Sequence, residues 1–362
     1  MIIIRYSRNI GYIVETAFLG LNRMGFNIGS KVLVGLDIGT SMVKAIELTK
    51  VRKKITITGF GISPIKRNIN DSIVEAFSSG GIDSRRVSTA ISGRSETVVK
   101  YITLPDVPNE DLKHIMQGEL DKYIPWDIDD CIFDCQKMKA TEDEKKANKM
   151  KVLMVASKKN VIMSHYQMLT AAGLKSKIID IEALALGNAY ELGFRQRETI
   201  AEDVTALIEI GATKVNINIM SGTESYFTRE IYSGGDDMTN AIAKKFGATP
   251  EDIEKMKREP REALEPILEI ITPLLDEIVK DITLSFDYFE NQFDQQVRKV
   301  LLCGGAVRFP GIQDLLSQKL NIPCTIWDPT EDIDIDGTKV DIKKLKDNSM
   351  ILGICLGLAS RI

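Results

Sequence analysis

A repeated strand–turn–strand pattern constrains the fold of this chain of 362 residues more than any other feature. Residues 32–48 run from an apolar stretch through Asp37 and a Gly-Thr-Ser turn into a second, alternating stretch, and residues 205–219 repeat this order around Glu209. Each copy has the pattern of a β-hairpin. Close to half of the chain separates Asp37 from Glu209. The duplication therefore predicts two related lobes that face each other across a ligand.

Length and composition agree with a two-lobed globular protein. The chain is 44% hydrophobic and 27% charged, which is ordinary for a folded protein and argues against a disordered or fibrous one. A chain of this length exceeds what a single hydrophobic core usually holds. Together with the alternation of strand and helix patterns, this predicts an α/β protein of two lobes with a cleft between them.

The charge balance and the cysteines argue against several classes of function. A net charge of −4 and a pI of about 5.6 provide no basic surface for a nucleic acid. Five cysteines are present, none of them in a Cys-x-x-Cys pair: Cys131, Cys135, Cys303, Cys324 and Cys355. Their odd number and spacing favour reduced thiols over a disulfide framework or a zinc site.

Membrane insertion is not expected from the sequence. The longest apolar run, residues 350–359, is about half the length of roughly 20 residues needed to span a bilayer. No signal peptide is recognised, so we expect a cytoplasmic protein. Apolar residues between Ile10 and Leu21 are spaced as in an amphipathic helix, which predicts an N-terminal extension over residues 1–30. This helix packs either on its own domain or on a membrane surface.

The order of patterns predicts an insertion within the first lobe. The first-lobe core is expected over residues 31–103 and 175–200, the second lobe over 201–349, and a closing helix over 350–362. Residues 104–174 are expected to form an inserted αββα subdomain. Its predicted parts are a helix capped at Asn109 and running to about Tyr123, strands near residues 130–138 and 152–156, an exposed loop over 141–149, and a helix from about Lys159 that ends at Gly173.

The first repeated turn suits the binding of a phosphate. Glycine lets backbone N–H groups point inward as an anion nest, and Thr40 and Ser41 add hydroxyl donors. Lys44 alternates with the apolar positions of its strand and can reach the same anion. Asp37 would repel a phosphate unless a hydrated Mg²⁺ lies between them. One such turn alone is equally consistent with a structural hairpin, whereas its repetition at residues 209–213 favours a clamp on one polyphosphate.

Five segments resemble motifs of the superfamily that contains actin, the sugar kinases and the heat-shock ATPases. In chain order they are residues 35–41 with Lys44 (first phosphate motif), 178–187 (first connecting motif), 209–213 (second phosphate motif), 302–311 (adenosine motif) and 353–359 (second connecting motif). The resemblance covers residues 31–362. It implies a two-lobed actin-like ATPase fold, which is a duplicated ribonuclease H-like fold, with ATP and Mg²⁺ as cofactors.

The resemblance also implies a set of site residues. Asp37 and Glu209 would hold Mg²⁺ through water. Glu182 and Asp37 would be the catalytic residues, and Glu182 would orient a water. The implied nucleotide-binding residues are Gly39, Thr40, Ser41, Lys44, Gly211, Ala212, Thr213, Gly234, Gly235, Glu277, Lys280, Gly304, Gly305 and Ala306. Glu209 stands where the superfamily usually has aspartate, and the longer side chain displaces the carboxylate by more than about 1 Å. ATP binding with slow or absent hydrolysis is therefore expected.

Within this fold the sequence most closely resembles the PilM family of type IV pilus assembly proteins. The resemblance rests on the insertion after Leu104-Pro105 and on the segment Tyr123-Ile124-Pro125-Trp126. It implies an adaptor at the cytoplasmic face of the inner membrane that grasps the N-terminal peptide of PilN between the first-lobe core and the insertion. The motor ATPases PilB and PilT, the platform protein PilC and self-association are further implied partners. Two alternatives stay open: an FtsA-like cytoskeletal ATPase of cell division and, less favoured, a small-molecule kinase.

Overall fold

A computed structural model of the chain describes residues 31–92, 96–140, 142–195 and 203–362. The helix predicted within residues 1–30 lies outside the described residues, as does the predicted junction of the two lobes at residues 200 and 201. Within the described ranges, no helix combines the length and the apolar character needed to cross a membrane. All five cysteines are buried and free.

Strands dominate both halves of the chain. The described residues form β1 (Lys31–Ile38), β2 (Met42–Val51), β3 (Lys54–Pro64), β4 (Arg86–Ile91), β5 (Thr97–Pro105), β6 (Cys131–Lys137), β7 (Lys149–Lys158), β8 (Lys175–Ile181), β9 (Val204–Ile210), β10 (Val215–Ser221), β11 (Glu224–Ile231), β12 (Lys299–Cys303), β13 (Cys324–Ile326) and β14 (Asp334–Ile335).

Helices connect these strands. The described residues form α1 (Ile69–Ser79), α2 (Asn109–Glu119), α3 (Glu142–Lys146), α4 (Lys159–Ala171), α5 (Glu182–Phe194), α6 (Gly235–Phe246), α7 (Pro250–Arg258), α8 (Leu264–Phe293), α9 (Ile312–Leu320), α10 (Ile342–Asp347) and α11 (Gly353–Ala359). Short 3₁₀ helices lie at Leu120–Lys122, Ile128–Asp130, Arg261–Ala263, Ala306–Arg308 and Ser349–Ile351.

Two sheets of the same topology form the two lobes. The first has the order β14-β3-β2-β1-β4-β8 and the second the order β11-β10-β9-β12-β13. Apart from the added edge strand β14, each sheet has three consecutive antiparallel strands followed by two parallel ones on the far side of the first strand. The register pairs Asp37 with Lys44 in one hairpin and Glu209 with Asn216 in the other. This confirms the two lobes predicted from the repeat and the actin-like fold that the resemblance implied.

Helices α5 and α11 pack closely at the centre of the molecule. Every residue of α11 is buried, so this helix has no solvent-facing side. A Cβ atom at Gly357 would lie only 1.7 Å from the carbonyl oxygen of Ala185 in α5, and one at Gly35 in β1 would lie 1.8 Å from that of Cys355. Close backbone approach between these elements therefore depends on glycine at both positions.

The inserted part of the first lobe contains three strands, in the order β5-β7-β6, rather than the two that were predicted. Strand β5 begins at Thr97, upstream of the expected start at residue 104. Its burial pattern explains the omission, because only Thr97, Ile102 and Leu104 are buried on this edge strand. The sheet and α2 enclose a small apolar core of their own.

Two local predictions in this region were wrong, whereas the predicted helix end near Tyr123 agrees with a final 3₁₀ turn that ends at Lys122. Asn109 is the first residue of α2 and not its cap, because Pro108 precedes the helix and makes no side-chain cap bond. Helix α2 ends at Glu119, and a 3₁₀ turn continues the chain. The charged stretch that was expected to be an exposed loop contains the short helix α3, whose last turn carries Lys145 and Lys146.

Candidate functional site

The two repeated turns meet at the boundary of the lobes. One follows β1 and the other follows β9, and the same backbone bond closes both: Gly39 N–H donates to the Met42 carbonyl at 3.0 Å, and Gly211 N–H to the Lys214 carbonyl at 2.9 Å. The Oγ1 atoms of Thr40 and Thr213 lie 3.3 Å apart. The duplication seen in the sequence thus brings two equivalent turns together in space.

A buried ion pair lies behind the first turn. Lys44 Nζ donates to Asp37 Oδ2 at 2.8 Å, and only 5% of the Asp37 side chain is exposed. Burial lowers the pKa of Lys44, but attraction by Asp37 and by Glu209 outweighs it and raises the pKa above its ordinary value. Lys44 is therefore a fixed positive charge between the two acids of the repeat.

The second hairpin surrounds its acid differently. Glu209 Oε2 accepts a hydrogen bond from Asn216 Nδ2 at 2.9 Å, so an amide stands where the first hairpin has a lysine. Burial raises the pKa of Glu209 to about 7, although Lys44 and the bond from Asn216 act in the opposite direction. The single cation of Lys44 thus attracts both buried carboxyl groups, those of Asp37 and Glu209.

Glu182, the first residue of α5, joins this group. Its Oε2 atom lies 2.5 Å from Lys214 Nζ and 3.3 Å from Asn216 Nδ2. Burial raises the pKa of Glu182, and attraction by Lys214 only partly offsets it. The structure therefore connects Glu182 to Glu209 through the single side chain of Asn216.

The Gly234-Gly235 turn before α6 packs on the second phosphate turn. Gly235 N–H donates to the Gly211 carbonyl at 2.9 Å, and a Cβ atom on Gly234 would lie 2.5 Å from the Ala212 carbonyl oxygen. A Cβ on Gly235 would lie 3.4 Å from that of Ala306. This turn therefore connects the second phosphate turn with the segment predicted to border an adenosine.

Gly304 turns the chain sharply after β12. Its φ of +99° is in the left-handed region that favours glycine, and a Cβ there would lie 2.4 Å from the Ile210 carbonyl oxygen. Gly305 precedes the 3₁₀ helix that contains Ala306, and no heavy atom lies within 4 Å of the Cβ position of Gly305. Open space therefore adjoins the backbone at Gly305.

Two predicted residues stand apart from this group. Glu277 and Lys280 are exposed on α8, a helix whose buried face packs on α6 and α9. Ser41 is exposed at the first turn, beside Thr40. A role for Glu277 and Lys280 in binding an adenosine stays a prediction.

Sequence reasoning missed a polar cluster beside Gly235. Lys257 Nζ donates to Thr239 Oγ1 at 2.8 Å, to Glu254 Oε1 at 2.7 Å and to the Gly235 carbonyl at 3.5 Å. The available signal was the spacing of Glu254 and Lys257 by three residues, which puts both on one face of α7. No sequence pattern showed that this face meets the Gly-Gly turn.

Comparison with known proteins decides the family. The family model described as type IV pilus assembly protein PilM matches residues 35–362. The chain belongs to the PilM family. This membership confirms the predicted resemblance.

Three solved structures are similar to this chain at 12–22% sequence identity. A PilM–PilN type IV pilus biogenesis complex superposes with a TM-score of 0.79 at 22% identity, covering 91% of this chain and 98% of the other. The ethanolamine utilization protein EutJ from Carboxydothermus hydrogenoformans gives 0.49 at 13% identity, covering 92% and 89%. MreB5 of Spiroplasma citri bound to AMPPNP gives 0.46 at 12% identity, covering 88% and 98%.

The residues of this PilM-family site fit a polyphosphate with a hydrated cation. A Cβ atom at Gly39 would lie 3.1 Å from the Met42 carbonyl oxygen and 3.5 Å from Lys44 Nζ. One at Gly211 would lie 3.2 Å from the Lys214 carbonyl oxygen and 3.4 Å from Glu209 Oε1, so a side chain at either glycine would fill the space beside these charges. Among the described residues, no three acidic, histidine or cysteine side chains form a cage for a metal. The carboxylates of Asp37 and Glu209 suit Mg²⁺, which commonly keeps several waters and takes one or two carboxylates together with phosphate oxygens.

The raised pKa of Glu209 predicts a pH-dependent stability. The folded chain keeps the Glu209 proton up to about pH 7, whereas the unfolded chain releases it near 4.5, so stability falls as pH rises through this window. Glu209→Gln removes this effect. We therefore expect the difference in unfolding free energy, variant minus wild type, to increase by roughly 3 kcal/mol between about pH 4.5 and pH 7. Urea unfolding of both proteins at a series of pH values measures the difference. Parallel pH profiles would contradict it.

Proposed function

We propose that this chain is an ATP-binding adaptor of the type IV pilus inner-membrane assembly platform, and that it binds the cytoplasmic N-terminal peptide of PilN in a nucleotide-linked manner. The observation that carries the proposal is the meeting of the two phosphate turns, with Thr40 and Thr213 at 3.3 Å, in front of the buried Asp37–Lys44 pair. Membership of the PilM family supplies the pilus context.

The nucleotide would be held from both lobes. Backbone N–H groups of the two turns, Lys44 and the hydroxyls of Thr40, Ser41 and Thr213 would donate to the phosphates, and Asp37 and Glu209 would accept from water around Mg²⁺. Bound ATP with Mg²⁺ would supply the charge that draws the two lobes together. Hydrolysis would be slow or absent, because Glu182 is engaged by Lys214 and Asn216.

The peptide would bind between the first-lobe core and the inserted sheet. Supporting this, the side chains of Val99, Leu153 and Val161 are only partly buried at that junction, where they pack on an apolar cluster drawn from both parts. One solved structure similar to this chain is a PilM–PilN complex, which makes a PilN peptide the first candidate for this surface. We further propose that PilB, PilT and PilC bind the complex of this chain with PilN at the cytoplasmic face of the inner membrane.

A route from the nucleotide to the peptide runs through contacts of the insertion with the second lobe. The Tyr101 hydroxyl on β5 lies 2.8 Å from Ser225 Oγ on β11, and Ser225 Oγ in turn donates to Asn218 Oδ1 on β10 at 2.8 Å. Lys151 Nζ on β7 lies 4.1 Å from the centre of the Phe293 ring at the end of α8. A rotation of the second lobe would therefore displace the inserted sheet through these contacts.

Calorimetry with a PilN N-terminal peptide tests the proposal. We expect ATP with Mg²⁺ to strengthen peptide binding by about tenfold, within the usual range of allosteric coupling, and Asp37→Ala to remove this effect. Val99→Asp should weaken binding of the peptide, with or without nucleotide. The same change at the exposed Val74 on α1 should leave peptide binding unchanged. Peptide affinity that is identical with and without nucleotide, in wild type and in Asp37→Ala, would contradict the nucleotide link.

A further inference from the structure

The fourth residue of each phosphate turn differs in kind between the two repeats. Met42 and Lys214 occupy equivalent positions, because each carbonyl accepts the hydrogen bond that closes its turn. Met42 packs against the apolar cluster at the centre of the molecule. The hairpin itself therefore does not require a lysine at this position, and the charge of Lys214 calls for another explanation.

Lys214 reaches from the second lobe into the first. Its Nζ atom lies 2.5 Å from Glu182 Oε2 and 2.9 Å from Ser92 Oγ. Ser92 directly follows β4 and Glu182 directly follows β8, and these two strands are parallel neighbours in the first sheet. Only 16% of the Lys214 side chain is exposed. The second phosphate turn is thus tied to the ends of two first-lobe strands.

Other contacts cross the boundary at the same place. Ser92 Oγ donates to Glu230 Oε2 on β11 at 3.0 Å. Within the second lobe, Glu230 Oε1 lies 3.7 Å from Lys214 Nζ. Asn216 on β10 donates to Glu182 at 3.3 Å. All these contacts join protein atoms, so none of them needs a ligand in order to form. Without the lysine, the carboxylates of Glu182 and Glu230 would lose the cation that both of them contact.

We propose that Lys214 is a positioning residue that latches the second phosphate turn to the first lobe and so preorganises the cleft between the two turns. Its effect on nucleotide affinity rests on the function proposed above, whereas its effect on the distance between the lobes does not. A preorganised site binds more tightly because the protein no longer gives up conformational freedom when the ligand enters. The latch accounts for a lysine that is only 16% exposed at a position that the first repeat fills with methionine.

Distance measurements on the full chain test the latch. Spin labels are attached at V74C on α1 and K244C on α6, which are exposed positions on opposite lobes, while all five native cysteines are buried. Lys214→Met should lengthen and broaden the distance distribution, and Lys214→Arg should keep the wild-type distribution. Lys255→Met removes a lysine that is 81% exposed in the same lobe and should change nothing. A Lys214→Met distribution equal to wild type would overturn the latch.

A milder variant and a binding measurement complete the test. Ser92→Ala removes only one hydroxyl and should shift the distances in the same direction by a smaller amount, which gives a result even if Lys214→Met does not fold. Calorimetry with ATP and Mg²⁺ should show about tenfold weaker binding to Lys214→Met, and unchanged binding to Lys214→Arg and Lys255→Met. Wild-type chain that binds no ATP would refute the proposed function, while the distances would still decide on the latch.

Discussion

Lys44→Met is expected to weaken ATP binding by about 100-fold or more, which corresponds to roughly 3 kcal/mol. The variant loses the cation that would face the phosphates and leaves Asp37 and Glu209 without the charge that attracts both of them. An anionic ligand would then meet two buried acids in place of a balanced site. Isothermal titration with ATP and Mg²⁺ measures the loss.

Lys50→Met is the matched control for this variant, because the same substitution is made near the other end of β2. It should bind ATP like wild type. Removing one partner of a buried ion pair also costs stability, typically about 3–5 kcal/mol, so circular dichroism must first show that Lys44→Met is folded at the temperature used. A folded Lys44→Met chain with wild-type affinity for ATP would contradict the assignment of Lys44 to the phosphate site.

Gly357→Ala is expected to destabilise the protein by about 3 kcal/mol, at the upper end for overpacking in a core. The added Cβ would lie 1.7 Å from the Ala185 carbonyl oxygen, and the neighbour is backbone of α5 that cannot rotate away. The two central helices must therefore separate, which opens the core that both lobes share. The free energy of unfolding in urea measures the effect.

Gly118→Ala provides the matched control for the core substitution. Gly118 also lies within a helix, α2, but nothing is within 4 Å of its Cβ position. Because alanine favours helix over glycine by up to about 1 kcal/mol, this variant should be as stable as wild type or slightly more stable. If both variants changed stability alike, close packing at Gly357 would not be the cause.

Much of the fold was predictable because its signals are local. The duplicated hairpins are formed by residues close in sequence, where alternation of apolar residues and a glycine turn are sufficient evidence. Strand β5 was not predicted because an edge strand buries few residues. Helix α3 was not predicted because its charged residues are also typical of a solvated loop. These elements depend on their neighbours in space more than on their own pattern.

The candidate nucleotide site was likewise predicted in part. Asp37, Lys44 and the glycines of the two turns were predicted from the repeat and from its resemblance to a known superfamily, and the structure brings the two turns together. Lys257 and Glu254 beside Gly235 were missed, since their spacing is ordinary for any surface helix. Only the packing of α7 on α6 brings these two side chains next to Gly235.

By itself, the sequence determined that this protein consists of two related lobes, each with a glycine turn backed by an acid, because those features are encoded within short stretches of chain. Only the tertiary structure decided which side chains join the lobes. Lys214 meets Ser92 across 122 positions, and Glu230 meets Ser92 across 138. Contacts over such separations are set by how the two sheets and the paired central helices pack, and no local pattern in the chain specifies them.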